Sequence, residues 1–323
     1  MKNTGTCRLI WRALLLLFAA VAVLLCVRPV CAASAEIRQT AAAPDEITVS
    51  WEYSDEEAES VTDCEVACHE AGRTETIVSG LLGAAARSCT LKGLVPDKTY
   101  IVTLTCECIG SDTPRLMCET EAKTTPEQAE TYSKCHFGYN QKGLFVNWNT
   151  ASGLEAKGLY EYEIADAGGK LLMTGQVTDR VRMERFPYAH RVTKIRVRPL
   201  AVNGTETFAG RWSAYKGLVP QPVLKTGRQY GFRKNKPILL GWNRVEGAKE
   251  YRVYIKKKGE PYKNAAVVKQ KKSGVITVTL KKYRQKKNKK KTEYRIKIVT
   301  VAAGGLGKSS DSICYRLSSR EKK

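Results

Sequence analysis

Eight of the eleven residues from Lys281 to Lys291 are basic: Lys281, Lys282, Arg284, Lys286, Lys287, Lys289, Lys290 and Lys291. Ammonium groups bind phosphate, sulfate or carboxylate strongly but with little geometric selectivity. The chemistry such a run predicts is sequence-blind, salt-sensitive attachment to a polyanion. Tyr283 is the one aromatic residue inside it, so the stacking platform of ordered single-strand recognition is not expected. A solvated face serving only solubility is the plainer alternative. The density of charge favours the polyanion.

Cysteine is the second chemical signal. Of eleven, Cys7, Cys26 and Cys31 lie in the first 31 residues, and eight remain, an even number. Six of these crowd together as Cys64, Cys68, Cys89, Cys106, Cys108 and Cys118. Cys64-x-x-x-Cys68-His69 with Cys106-x-Cys108 could be read as zinc ligands, but the spacing differs from the usual paired C-x-x-C knuckles. Disulfides in an oxidising compartment are the preferred reading. Cys108 and Cys118 flank a hairpin at Ile109–Met117 and form the first candidate pair. Cys64, Cys68, Cys89 and Cys106 supply two further bonds by any of three pairings, and the sequence leaves that choice open. Cys135 and Cys314 are open to bonding each other, a second chain, or nothing.

A third pattern is Lys194, Arg196 and Arg198 at alternate positions, followed by Arg211-Trp212-Ser213. Arginines on one sheet face beside an indole predict a cation–π ladder of Arg196, Arg198 and Trp212, read as a stabilising surface feature before a ligand site. Signals for catalysis are missing. His69, His136 and His190 are scattered, and no nucleophile elbow, metalloprotease helix motif, phosphate-binding glycine loop or kinase signature occurs. Glu56, Glu57 and Glu59 read as a solvated acidic loop. Ala302-Ala303-Gly304-Gly305 reads as a turn, not a nucleotide cradle. The expectation is a non-enzymatic protein with no cofactor, no metal and no small-molecule substrate.

The elements that must position these residues announce themselves by repetition. Ile47-Thr48-Val49-Ser50-Trp51, Leu144-Phe145-Val146-Asn147-Trp148 and Ile238-Leu239-Leu240-Gly241-Trp242 are short apolar strands ending in tryptophan, 97 and 94 residues apart. Such a period is a whole small domain. Period-two alternation follows each tryptophan, as in Cys64-x-Val66-x-Cys68, Tyr160-x-Tyr162-x-Ile164 and Tyr251-x-Val253-x-Ile255, the mark of half-buried strands.

Leu91-x-x-Leu94-x-Pro96-x-x-x-Tyr100, the Tyr100-x-Val102-x-Leu104 strand and the early Trp51 resemble a fibronectin type III domain. Trp242-x-x-Val245-x-Gly247-Ala248-x-x-Tyr251-x-Val253-Tyr254 resembles the version found in secreted bacterial surface proteins. The resemblance implies an all-β chain of three tandem seven-stranded antiparallel sandwiches with Greek-key connections. The modules are placed at 36–125, 126–220 and 221–323. The second keeps no tyrosine at the place of Tyr100 and Tyr294, and the third carries the lysine run where the Leu-x-Pro turn would be. The joints at Thr124-Thr125-Pro126-Glu127 and Val219-Pro220-Gln221-Pro222 are short, so a semi-rigid rod is expected. The Arg–Trp pattern is similar to cytokine-receptor fibronectin domains, without the full Trp-Ser-x-Trp-Ser.

Residues 1–35 read as a signal peptide: Lys2, Arg8 and Arg12, then the apolar stretch Ala13–Val27, then Ala33-Ser34-Ala35 as a cleavage site. Export to a secreted or cell-surface location is expected, and Asn203-Gly204-Thr205 is a sequon useful only in a eukaryote. Charge is polarised along the mature chain. Residues 36–125 hold 7 Lys+Arg against 17 Asp+Glu, residues 126–220 hold 13 against 9, and residues 221–323 hold 30 against 6. Such a field governs partners and solubility. The partners expected are an anionic surface polymer or extracellular nucleic acid for the third module and a protein for the first. The functional expectation is an adhesion or spacer protein. A receptor-like protein-binding ectodomain and an accessory protein of extracellular polysaccharide degradation are the alternatives.

Overall fold

The computed structural model describes residues 35–138, 142–225, 230, 236–257, 259–272, 274–284, 293–309 and 314–318. The Ala13–Val27 stretch lies outside them. Among the described residues no helix is long and apolar enough to cross a membrane.

Apart from one helical turn, the regular secondary structure of the described residues is all strand. Its first stretch runs β1 (Ala35–Ala42), β2 (Glu46–Tyr53), one helical turn α1 (Asp55–Ala58), β3 (Val61–Glu70), β4 (Thr76–Gly83), β5 (Ser88–Lys92), β6 (Thr99–Cys108) and β7 (Arg115–Lys123). These form two sheets in the orders β1-β2-β5 and β4-β3-β6-β7. Alternation decides which side chains go inside: Ile47, Val49 and Trp51 of β2 and Val102, Leu104 and Cys106 of β6 are buried, while their neighbours are less so. This is the seven-stranded, two-sheet arrangement that the resemblance implies, with the chain crossing between sheets after β2 and returning at β5.

The next stretch runs β8 (Ala129–Phe137), β9 (Leu144–Thr150), β10 (Leu159–Asp166), β11 (Leu171–Thr178), β12 (Val181–Met183), β13 (Thr193–Asn203), β14 (Glu206–Ala209) and β15 (Lys216–Leu218). Its sheets are β12-β9-β8 and β11-β10-β13-β14, with β15 also on β13. The last runs β16 (Pro237–Asn243), β17 (Ala248–Lys257), β18 (Lys263–Lys269), β19 (Val275–Arg284), β20 (Glu293–Ala302) and β21 (Tyr315–Ser318), in the orders β16-β19 and β18-β17-β20-β21. The inter-strand registers of β3 with β6, β10 with β13 and β17 with β20 are all antiparallel.

Trp51, Trp148 and Trp242 are among the largest fully buried side chains. In the last two stretches the indole meets a tyrosine edge-on, Trp148 with Tyr160 at 5.1 Å and Trp242 with Tyr251 at 5.4 Å between ring centroids. Around Trp242 pack Ile238, Leu240, Val253, Ile255, Ile276 and Ile296. Each such aliphatic side chain stabilises the fold by roughly 1.5–3 kcal/mol on burial.

The contacts divide the chain into two compact units. One comprises residues 47–92 and 99–122 with the segment up to Ala41; the other comprises 42–46, 93–98 and everything from Lys123 onward. The segments assigned to the second and third modules therefore share one unit. Their joint is specific. Val192 and Val219 belong to the core around Trp242. The Val192 N–H donates to the Glu246 carbonyl at 2.7 Å, the Glu246 N–H donates to the His190 carbonyl at 3.0 Å, and Arg191 pairs with the Glu246 carboxylate. Gly217 lies so close to the Leu306 carbonyl that a Cβ would collide with backbone. Gly247 takes φ of +77° where the turn meets Val192, a conformation that a side chain would strain. Those glycines let the modules approach, which a flexible tether would not need.

Candidate functional site

The lysine run begins on described structure and leaves it. Lys281 and Lys282 are exposed near the end of β19 and Arg284 is its last residue. Lys286, Lys287, Lys289, Lys290 and Lys291 lie outside the described residues.

Strand register adds cations that spacing in the sequence did not reveal. Lys256 of β17 sits opposite Arg295 of β20, and Arg295 sits opposite Arg316 of β21. Three cations thus stand in one row across three neighbouring strands, about 4.8 Å apart from strand to strand. Like charges directly opposite one another destabilise a sheet. One carboxylate offsets the row in part: Glu293 holds Arg316 at 2.7 Å and Arg295 at 3.8 Å. Beside the row, Lys256 and Lys297 lie over the Tyr262 ring at 4.7 and 4.5 Å. Arg295 and Arg316 are isolated arginines in the sequence, and only the pairing of β20 with β21 aligns them.

The ladder residues come together. The Arg196 guanidinium stands 4.5 Å and that of Arg198 4.4 Å from the Trp212 ring centroid. The ladder runs on to Tyr215, which Lys194 and Arg196 approach at 4.4 and 4.9 Å. The two carboxylates on β10 were not anticipated. Glu163 pairs with Arg196 and Glu161 with Arg198, each at 2.6 Å, because these residues are register partners across β10 and β13. Every arginine charge of the ladder therefore already has a carboxylate and a ring. That arrangement stiffens a sheet face and leaves little unspent charge for a ligand.

The structure carries the eight described cysteines as thiols. Cys64, Cys68 and Cys106 are buried, and Cys89, Cys108 and Cys118 are partly so. Cys64 and Cys106 are direct register partners across β3 and β6. The Tyr53 hydroxyl lies 3.4 Å from the Cys106 sulfur and accepts the Trp51 indole N–H at 2.9 Å. Cys68 interacts electrostatically with Cys89 on the opposite sheet. Burial pushes the thiols of Cys68, Cys106 and Cys118 up to about 11, and raises that of Cys64. Cys118 has Cys106 as its electrostatic neighbour, two positions inward from Cys108.

His69 follows buried Cys68 and so points to the other face of β3. Among the described residues no group of three or more His, Cys, Asp or Glu side chains is placed to hold a metal. Cys135 is partly buried, with its thiol pushed up to about 11, whereas Cys314 is exposed and its sulfur lies 2.6 Å from the Tyr262 hydroxyl.

No protein-family model and no curated protein matches the chain. Solved structures similar to it include the following two. One is that of the chicken CNTN1 FN1-FN3 domains, at 14% identity over 88% of this chain and 97% of that one, with a TM-score of 0.23. The other is described as a myokine structure, at 19% identity over 28% of this chain and 92% of that one, with a TM-score of 0.24.

Proposed function

We propose that this is an extracellular adhesion or spacer protein whose basic C-terminal module docks on an anionic polymer. The observation that carries the reading is the concentration of charge. Residues 221–323 hold 30 Lys+Arg against 6 Asp+Glu, while residues 36–125 are net acidic. The row Lys256–Arg295–Arg316 supports it, since aligned cations cost sheet stability and an opposing polyanion would offset that cost. The contrast with the ladder face is instructive, because there each arginine is already neutralised at close range. A flat face of cations with few aromatic platforms suits a repeating anionic chain better than a single small ligand.

The test is binding of the full chain to heparin, polyphosphate, duplex DNA and uncharged dextran across a salt titration. Binding to the three polyanions and not to dextran is expected. With six or more contacts engaged, affinity should fall roughly 10³-fold between about 50 and about 200 mM salt. Replacing Lys286, Lys287, Lys289, Lys290 and Lys291 together with glutamine should flatten the slope. Salt-independent binding, equal binding to dextran, or no binding at low salt overturns the reading.

A further inference from the structure

The three modules can be superposed by strand register, and the first departs from the others at specific places. Tyr251 lies opposite Thr300, Tyr160 opposite Pro199, and Cys64 opposite Cys106. Six positions on in β3, β10 and β17 the registers agree again: Glu70 opposite Tyr100, Asp166 opposite Thr193, Lys257 opposite Tyr294. Cys64 therefore occupies the place where the other modules put the tyrosine that meets the tryptophan. Cys68 occupies the place of Ile164 and Ile255. On the facing sheet, Thr48 bonds Thr90 through their hydroxyls, as Leu239 lies opposite Thr279, so Cys89 takes the place of Val278. Val278 packs against the core to which Ile255 belongs.

We infer that the first module is cross-linked by two disulfides, Cys64–Cys106 within one sheet and Cys68–Cys89 between the two sheets. The geometry eliminates the other two pairings of these four residues. Cys64 and Cys68 are four residues apart on one strand, about 13 Å, beyond the 7 Å or so that a disulfide can span between Cα atoms. A Cys68–Cys106 bond fails equally, because Cys68 is opposite Val102, four residues along β6 from Cys106. Cys64 and Cys106, as direct antiparallel partners, are about 4.5–5.5 Å apart, inside the permitted range. Cys68 and Cys89 both face the interior from opposite sheets and sense each other.

Each bond forms by thiol–disulfide exchange with a small disulfide such as oxidised glutathione. One cysteine thiolate attacks it and releases one small thiol, giving a mixed disulfide. The partner thiolate displaces the second. Two protons and two electrons pass from the protein pair to the two small thiols.

The sequence provides the cleavage sites needed to read the pattern. Cleavage after Glu65 separates Cys64 from Cys68, and cleavage after Glu107 separates Cys106 from Cys108. The full chain, refolded with reduced and oxidised glutathione, would be digested with a glutamate-specific protease and trypsin, without reduction, and the linked peptides identified by mass spectrometry. Linked Cys64–Cys106 and Cys68–Cys89 peptides are expected. A Cys106–Cys118 or Cys64–Cys89 linkage, or any of Cys64, Cys68, Cys89 and Cys106 staying alkylatable after refolding, overturns the assignment.

A second variant keeps the test independent of folding yield. Cys68→Ile with Cys89→Val reproduces the third module's packing, so it should fold and retain the Cys64–Cys106 linkage. In the parent, reduction should lower the melting temperature of the first unit by roughly 10 °C or more. That variant should show a clearly smaller shift on reduction, and an unchanged shift counts against the inter-sheet bond.

Discussion

The first and third modules solve one packing problem in two ways. Both bury a tryptophan near the end of a strand, Trp51 on β2 and Trp242 on β16. In the third, the Tyr251 ring covers Trp242 edge-on, and its hydroxyl accepts the Val245 N–H at 2.7 Å and donates to Gln270 at 2.8 Å. Gln270 closes the circuit by donating to the Val245 carbonyl. In the first, Cys64 replaces that tyrosine, and the space beside Trp51 is shared by two sulfurs and Tyr53. The Trp51 indole N–H gains a hydroxyl acceptor, while the Trp242 indole nitrogen is buried with no hydrogen-bond partner among the described residues. The lesson is that the tryptophan is the fixed point and its neighbour is exchangeable, a ring with a hydrogen-bond circuit in one module and a sulfur cluster in the other.

The largest effect should come from the shared point. Trp242→Ala should cost about 3–5 kcal/mol by lost burial and cavity formation, measured by urea unfolding. A cost under about 1 kcal/mol would mean that the indole is not what the core is built around. Next is Tyr251→Phe, which keeps the ring but strands the buried Val245 N–H; about 1–3 kcal/mol should be lost. Tyr53→Phe should likewise remove the acceptor of Trp51, and comparing the two variants measures how much of each module depends on a hydroxyl.

A pH titration separates the modules further. In the reduced protein, burial raises the thiols of Cys68, Cys106 and Cys118 from 9.0 to about 11. The unfolded chain releases those protons first as pH rises, so this stabilising contribution is whole below pH 9 and is lost between about 9 and 11. Melting of the first unit should therefore weaken across that window when reduced, and keep only the tyrosine-dependent part of the trend once the thiols are oxidised. Identical alkaline profiles in both redox states would break the comparison. The smallest effect is expected on the second module's ladder. Trp212→Ala should cost less than about 1 kcal/mol, since the ring is only partly buried and both arginines keep their carboxylates. A larger loss in thermal unfolding would promote the ladder from surface brace to structural element.

Much of the fold was legible because it rests on periodicity. Ile238, Leu240 and Trp242 alternate with less buried residues, and an alternation of two means a strand wherever it occurs. The Leu-x-Pro crossing and the glycine turn at Gly304-Gly305 were equally local. The ladder was partly legible: alternate Lys194, Arg196 and Arg198 could be placed on one face, but Glu161 and Glu163 lie more than thirty residues away and met them only through register. The Lys256–Arg295–Arg316 row was not legible at all, for no sequence window contains it.

Strand type, the repeated tryptophan positions and the polarised charge are all readable from residue types along the chain, with no knowledge of what pairs with what. The tertiary structure alone decided which strands pair and in what register. Register sets Cys64 opposite Cys106 and aligns cations across three strands, and packing brings Gly217 and Gly247 into close approach with their neighbours. The physical reason is distance along the chain: hydrogen-bonded neighbours in an antiparallel sandwich are commonly tens of residues apart, and a slip of one residue sends every side chain to the opposite face.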